Sequence, residues 1–397
     1  MQRGFAATTN TQYILDLDSK YVVPYYPPVP LVIERGSRVH IWDTDGNKYF
    51  DMLAGFAAVS VGHAHPKLIN AMINQANKIS LTSRSLLNSV LPQTAEAICK
   101  FTGYDKFLAC SSGVEACEAA VKVARRWGYV SKGVPDGHAN ILMMNGVFWG
   151  RSITASGACS DPTRSRLFGP FTPGFSLVDY NNVDAIEKHL KSTPNCVAVM
   201  LEPIQGEGGM IVPEDGYLAK VRALCDKYNV LMVCDEVQSG MGRSGKTLCS
   251  QWDLEGLNTK PDITTLGKGM SGGVSPVSGI VADDKVMNVI GFGDHGSTFG
   301  GNPFSMAITK AVLEIYEEEN LVENSLNVGT YMNSQFKSIE SPLIKEVRGR
   351  GLMQCIEIEK ESNVNGHDFC DIMRQNGLLT KATKDFACRF TPPLVLT

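Results

Sequence analysis

The chain has 397 residues, 43% hydrophobic and 20% charged, the balance of a globular protein with a large core and room for about two to three domains. Its net charge of −4 gives nucleic acid no electrostatic footprint, and no apolar run is long enough to span a bilayer. Eleven cysteines are scattered without a C-x-x-C pair, and Cys99, Cys110, Cys225 and Cys234 fall in apolar surroundings. That pattern predicts a reducing compartment, cytoplasm or mitochondrial matrix, with cysteine used as a small core residue.

The first residues, Met1 to Thr11, contain one arginine and no acid, and read equally as the remnant of an organelle transit peptide or as a frayed terminus. Residues up to about Pro30 are expected to form an irregular arm, since Pro24, Pro27, Pro28 and Pro30 exclude helix. A β-meander is expected over 31–52, with Asp45-Gly46-Asn47 as a hairpin turn. Helix-like and strand-like stretches then alternate. The helices are expected at 67–78, 91–102, 114–130, 182–191, 216–228 and 303–319. The strands are expected at 106–109, 140–144, 197–202, 230–235, 263–266 and 278–282. This order predicts an α/β fold, a doubly wound sheet with ligands at the carboxyl ends of its strands. After about Ala307 a helix leads into a smaller α+β unit. The last run, Cys388 to Thr397, ends in apolar residues with no covering helix, as expected of a chain cut short of its natural end.

Three short motifs compete for the chemistry. Gly240 to Thr247 fits the P-loop pattern, with Lys246 as its lysine. Five residues separate it from its strand, two of them the acids Asp235 and Glu236, which would repel a triphosphate. A P-loop nucleotide hydrolase is therefore the weaker reading. Gly291 to Gly296 fits G-x-G-x-x-G but does not open a helix. Gly269-Met270-Ser271-Gly272-Gly273 fits the nucleophile-elbow pattern, yet Lys268, rather than the serine, leaves the strand.

Lys268 explains more. It follows a β-branched, apolar run, where burial strips its amine of water and lowers its pKa, making it a candidate for a Schiff base with an aldehyde. A second strand end supplies Asp235, the carboxylate that a protonated pyridine nitrogen needs. Ser112, Gly113 and Val114 open a helix after a third strand and would offer donors to a phosphate. Phe148 follows a fourth strand and can cover a planar ring, while Arg151 can fork a carboxylate. Glu202 and Glu207 lie beyond a fifth. Any one of these has a plainer reading as a cap, core residue or surface ion pair. Their convergence on one sheet edge points to a pyridoxal phosphate site.

The motifs Gly62-His63-Ala64-His65-Pro66, Ser112-Gly113-Val114-Glu115-Ala116, Phe148-Trp149-Gly150-Arg151, Phe168-Gly169-Pro170-Phe171, Asp235-Glu236-Val237-Gln238, Leu266-Gly267-Lys268, His295 to Pro303 and Arg389 to Leu394 carry a family resemblance. In their order and spacing, from about Tyr21 to Thr397, the chain resembles the class III (subgroup II) pyridoxal-phosphate aminotransferases, and within them the ornithine branch. The resemblance implies the fold type I of pyridoxal-phosphate transferases, with a seven-stranded, mainly parallel sheet. It implies a large cofactor domain over 56–306, and a smaller domain built from 1–55 and 307–397. It implies transfer of the δ-amino group of ornithine to 2-oxoglutarate by a ping-pong cycle, with N-acetylornithine or 4-aminobutyrate as alternative donors.

Residue by residue, the resemblance gives Lys268 the cofactor and the proton shuttle, Asp235 the ring nitrogen, Gln238 the phenolic oxygen and Phe148 the ring face. Ser112, Gly113 and Val114 would hold the phosphate, helped by Ser297 and Thr298 of the other subunit of a homodimer. Arg151 and Tyr26 would bind the α-carboxylate of ornithine. Glu207 would mask Arg389 while ornithine is bound and release it for 2-oxoglutarate. Two departures stand out: Phe56 replaces a tyrosine of the ornithine enzymes, which loosens strict ornithine preference, and Val22-Val23-Pro24-Tyr25 replaces a more polar stretch. His63 and His65 lack an evident third ligand and read as part of a turn, so no metal is expected.

Overall fold

The structure, a computed structural model, describes residues 11–397. The stretch read as a transit remnant or frayed terminus lies, apart from Thr11, outside the described residues. Fifteen strands follow in chain order among the described residues: β1 Ile33–Ser37, β2 His40–Asp43, β3 Lys48–Asp51, β4 Lys106–Cys110, β5 Asn140–Met144, β6 Phe175–Val178, β7 Cys196–Leu201, β8 Leu231–Asp235, β9 Ile263–Leu266, β10 Ser278–Ala282, β11 Ile344–Arg350, β12 Met353–Ile358, β13 Leu378–Leu379, β14 Lys381–Thr383 and β15 Ala387–Phe390.

Strands β7, β8, β9 and β10 are buried at every residue, as continuous apolar and β-branched runs must be when helices cover both faces of a sheet. They sit in a seven-stranded sheet of order β4-β10-β9-β8-β7-β5-β6. Strand β10 is antiparallel to both β4 and β9, and the pairings from β9 across to β6 are parallel. Six strands therefore point the same way and end on one edge. The helix Gly113–Trp127 buries Ala116, Cys117, Ala119, Ala120 and Ala124, small residues that let it lie close against the sheet.

Two smaller sheets complete the fold, β1-β2-β3-β13 and β11-β12-β15-β14. In the first, β13 runs parallel to β3 with Leu378 opposite Phe50, so the meander near the start of the chain is finished by residues near its end.

The structure corrects the arm. Thr11–Tyr21 is a helix, because the prolines begin only at Pro24 and nothing before them breaks the pattern. It also adds strand β6 at the sheet edge and a second long helix, Leu321–Lys337. That helix buries Leu321, Ser325 and Gly329, a stripe too short in side chain to register as an apolar face. Gly329 is required there, since a Cβ would lie 2.0 Å from the carbonyl oxygen of Gly351.

Candidate active site

Strand β9 delivers Lys268 to the sheet edge through Gly267. Lys268 itself has φ 36°, a left-handed conformation that costs a side-chain-bearing residue energy and that clusters at functional sites. It is partly buried, and among the described residues its amine takes no ion pair or side-chain hydrogen bond. Burial pushes its pKa down, with Arg389 adding to that, while Glu207, Asp235 and Glu202 pull it back up. On the neighbouring strand, Asp235 is 5% exposed. Its Oδ1 accepts from Thr265 Oγ1 at 2.7 Å and from the Val237 N–H at 3.1 Å. Among the described residues, its Oδ2 accepts only from the Cys117 thiol, at 3.3 Å. Burial raises the Asp235 pKa, against the pull of Thr265, Val237, Cys117 and Lys268.

Beyond β4, Ser112 caps the helix Gly113–Trp127 in a capping box with Glu115. Glu115 occupies the Ser111 and Ser112 N–H groups. Gly113 and Val114 keep the unpaired first-turn donors that every helix has. Ser297 and Thr298 line a cavity of about 490 Å³ together with Ser111 and Glu115 of the same chain, alongside this turn.

Glu202, beyond β7, joins two loops. Its Oε1 accepts from the Phe148 N–H at 2.9 Å and its Oε2 from the Gly206 N–H at 3.0 Å. Burial, followed by the charge of Asp235, pushes its pKa up to about 8. Arg151 is exposed and stands 5.6 Å from the Phe148 ring centre. Arg164 approaches the same ring to 4.7 Å. Gln238 is buried, its Oε1 has no hydrogen-bond partner among the described residues, and Gly206 leaves it room, because a Cβ there would sit 1.7 Å from that oxygen.

Glu207 follows in the same loop and meets Arg389 of β15 in a two-pronged pair, Nη1–Oε1 2.6 Å and Nη2–Oε2 3.1 Å. Burial acts to raise the Glu207 pKa, but Arg389 overcomes it and holds the carboxyl at about 2. The Phe56 ring lies 5.0 Å from the Arg389 guanidinium and stacks on Tyr26 at 6.2 Å. Phe56 belongs to a rare left-handed turn: Ala54, Gly55, Phe56 and Ala57 have φ of 48°, 58°, 58° and 72°. Three non-glycine residues in this conformation cost roughly 3–6 kcal/mol. Asp51 supports the turn by accepting from the Leu53 and Ala54 N–H groups at 3.1 and 2.7 Å, and His63 holds Asp51 at 2.7 Å.

Of the predicted site residues, Lys268, Asp235, Gln238, Phe148, Phe56, Ser112, Gly113, Val114, Glu207, Arg389 and Ser297 are at least partly buried, whereas Thr298, Arg151 and Tyr26 are exposed. The rival motifs do not assemble. Lys246 pairs with Glu255 at 2.6 Å, and Ser271 Oγ donates back to the Lys268 carbonyl at 2.7 Å. His63 and His65 are each committed to a carboxylate, the latter to Glu319 at 2.9 Å. Sequence reasoning missed Cys117, Thr265 and Arg164. Only Thr265 left a signal, as a polar residue in the strand-like run that leads to Lys268, and it stands directly opposite Asp235 in register.

Among the described residues, an unpaired amine on Lys268, an Asp235 oxygen held only by a thiol, an unpartnered Gln238 Oε1 and open donors at Gly113 and Val114 fit pyridoxal 5'-phosphate group by group. The fold and this lysine–aspartate edge define a pyridoxal-phosphate enzyme of fold type I. The chain belongs to the class-III aminotransferases, whose family model it matches over residues 21–397. It is 46% identical over 396 residues to the probable mitochondrial ornithine aminotransferase of Caenorhabditis elegans, covering 100% of this chain and 92% of that protein. It is 44% identical to the mitochondrial ornithine aminotransferase of Rattus norvegicus, covering 98% and 87%. Among solved structures, the ornithine aminotransferase of Toxoplasma gondii superposes with a TM-score of 0.95 at 39% identity, covering 98% and 91%. An acetylornithine aminotransferase from Elizabethkingia anophelis gives 0.89 at 40% identity, covering 98% and 95%.

Proposed function

We propose that this aminotransferase moves the δ-amino group of ornithine to 2-oxoglutarate, giving glutamate 5-semialdehyde and glutamate. The observation that carries the reading is the Glu207–Arg389 pair beside Lys268. A diamino acid and a dicarboxylic keto acid must use one pocket in turn, and a cation that can be masked serves both. When bound, pyridoxal 5'-phosphate supplies an aldehyde that takes up the amino group and a ring that draws electrons from the bonds beside it. Lys268 Nζ would hold the cofactor and would move a proton to and from the substrate carbon, a task suited to an amine with a lowered pKa. Asp235 keeps the ring nitrogen protonated, Phe148 covers the ring, and Gln238 orients the phenolic oxygen. Ser112, Gly113 and Val114 hold the phosphate.

Arg151, with Tyr26, binds the ornithine α-carboxylate while Glu207 occupies Arg389. This leaves the δ-amine nearest Lys268. In the second half of the cycle Glu207 withdraws, and Arg389 takes the α-carboxylate of 2-oxoglutarate.

The working unit is a homodimer in which Ser297 and Thr298 reach the partner's phosphate. Support comes from the exposed apolar side chains of Leu86, Leu87, Phe292 and Phe299. Eleven free cysteines support a reducing compartment, cytoplasm or mitochondrial matrix. N-acetylornithine or 4-aminobutyrate is the second donor reading, favoured by Phe56, whose ring gives the donor no hydroxyl. The test is a single-turnover series on the cofactor-loaded protein, followed by its visible absorption, with the three donors. Ornithine is expected to react fastest. Ornithine ranking last would overturn the donor assignment, and a preparation that added pyridoxal phosphate leaves colourless would overturn the mechanism.

A further inference from the structure

Glu207 cannot simply leave Arg389. A carboxylate that loses its ion-pair partner in a half-buried site is left desolvated without compensation, so the switch needs a second place for that charge. The surrounding cations can be sorted by their commitments. Lys381 Nζ donates to the Pro27 carbonyl at 2.6 Å and faces the Tyr26 ring. Lys268 is reserved for the cofactor. Arg151 is exposed and is assigned to the donor carboxylate.

Arg164 is different. Its side chain is 11% exposed, and its one ionic contact is long, Nε to Asp161 Oδ2 at 3.4 Å. Among the described residues neither Nη atom has a hydrogen-bond partner. Asp161 is shared with Lys384 at 3.5 Å and is also taken by the Thr163 N–H and hydroxyl. Two cations thus divide one carboxylate, and positive charge is left over. The guanidinium packs on Phe148, whose N–H is tied through Glu202 to Gly206, the residue before Glu207. Its charge already helps to hold the Glu207 carboxyl low.

We propose that Arg164 is the positioning residue that receives the Glu207 carboxylate when Arg389 turns to the keto acid. The inference rests on the charge switch described under the proposed function. Nothing covalent changes: one ion pair is exchanged for another while the keto-acid carboxylate enters.

The test uses the cofactor-loaded enzyme and follows each half-reaction by absorbance. Arg164→Gln is expected to weaken apparent binding of 2-oxoglutarate by about tenfold, as loss of a charge-assisted contact does. The ornithine half-reaction should change far less, and Arg164→Lys should recover most of the loss. In a Glu207→Gln background the Arg164→Gln effect should vanish, because the charge it serves is gone. An effect that persists there means Arg164 touches the keto acid directly and overturns the proposal. So does an unchanged acceptor half-reaction, or equal damage to both halves. If the unmodified enzyme responds to no amine, the functional reading has failed instead.

Discussion

Glu207→Gln tests the switch most directly. The fall in the Glu207 pKa from the ordinary 4.5 to about 2 corresponds to about 3 kcal/mol in favour of the charged carboxylate. The side chain is 21% exposed, so solvent screening trims this to about 2 kcal/mol for the pair. A keto acid must displace that pair, so its apparent affinity is reduced by the fraction of enzyme in which Arg389 is free. About 2 kcal/mol makes that fraction roughly one in thirty. Glutamine keeps the shape but not the charge. The variant should therefore bind 2-oxoglutarate about ten- to thirtyfold more tightly. It should also let ornithine dock its α-carboxylate on Arg389, bringing the α-amine to Lys268. The assay is the 2-oxoglutarate dependence of the acceptor half-reaction, with product analysis for α- against δ-amino transfer. An unchanged or weakened dependence on 2-oxoglutarate, with δ-transfer intact, would refute the masking argument.

Phe56→Tyr adds a hydroxyl beside Arg389 and should raise the ratio of kcat/KM for ornithine over 4-aminobutyrate by about tenfold, the value of one hydrogen bond to a charged group; a ratio that falls counts against it. Asp235→Asn cannot hold the ring nitrogen's proton, so turnover should drop by at least about a hundredfold while the folded content seen by circular dichroism stays constant. Lys246→Ala removes a surface pair and should cost less than about 1 kcal/mol in urea unfolding and leave transamination intact; magnesium-ATP binding lost on this change would revive the P-loop reading. The Glu207–Arg389 pair has a depressed folded pKa, so its stabilisation is complete above about 4.5 and disappears as pH falls toward 2. Glu207→Gln should flatten acid unfolding across that window.

The strand ends were legible because chemistry and period coincided there. The run Ile263-Thr264-Thr265-Leu266 reads as a buried strand, and the next turn holds a lysine that a plain loop would not need. Asp235 announced itself the same way. Strand β6 did not, because Phe175–Val178 is four residues long and only partly covered at the sheet edge. The helix Leu321–Lys337 hid behind a buried face of leucine, serine and glycine. Two features of the site have no local signature: the bridging role of Glu202, whose position at a strand end was legible, and the backbone at Phe56. Glu202 matters because its two oxygens reach donors from separate loops, one of them 54 residues earlier in the chain. The left-handed turn at Phe56 is imposed by Asp51, His63 and Thr391, the last supplied from more than 300 residues away, and propensity would never select it.

The parallel pairing of β3 with β13 has a consequence for how the enzyme comes into being. Residues Ser112 to Lys268, proposed to grip the cofactor, lie in the middle of the chain and are synthesised well before β13. Tyr26 and Phe56 are made first, yet the sheet whose first three strands lie between them in the chain is incomplete until Leu378 pairs with Phe50, and Arg389 arrives later still. Contacts of such high sequence separation close late. The machinery for holding the cofactor can therefore be in place before the apparatus that chooses what reacts with it, and discrimination is the last property the folding chain acquires.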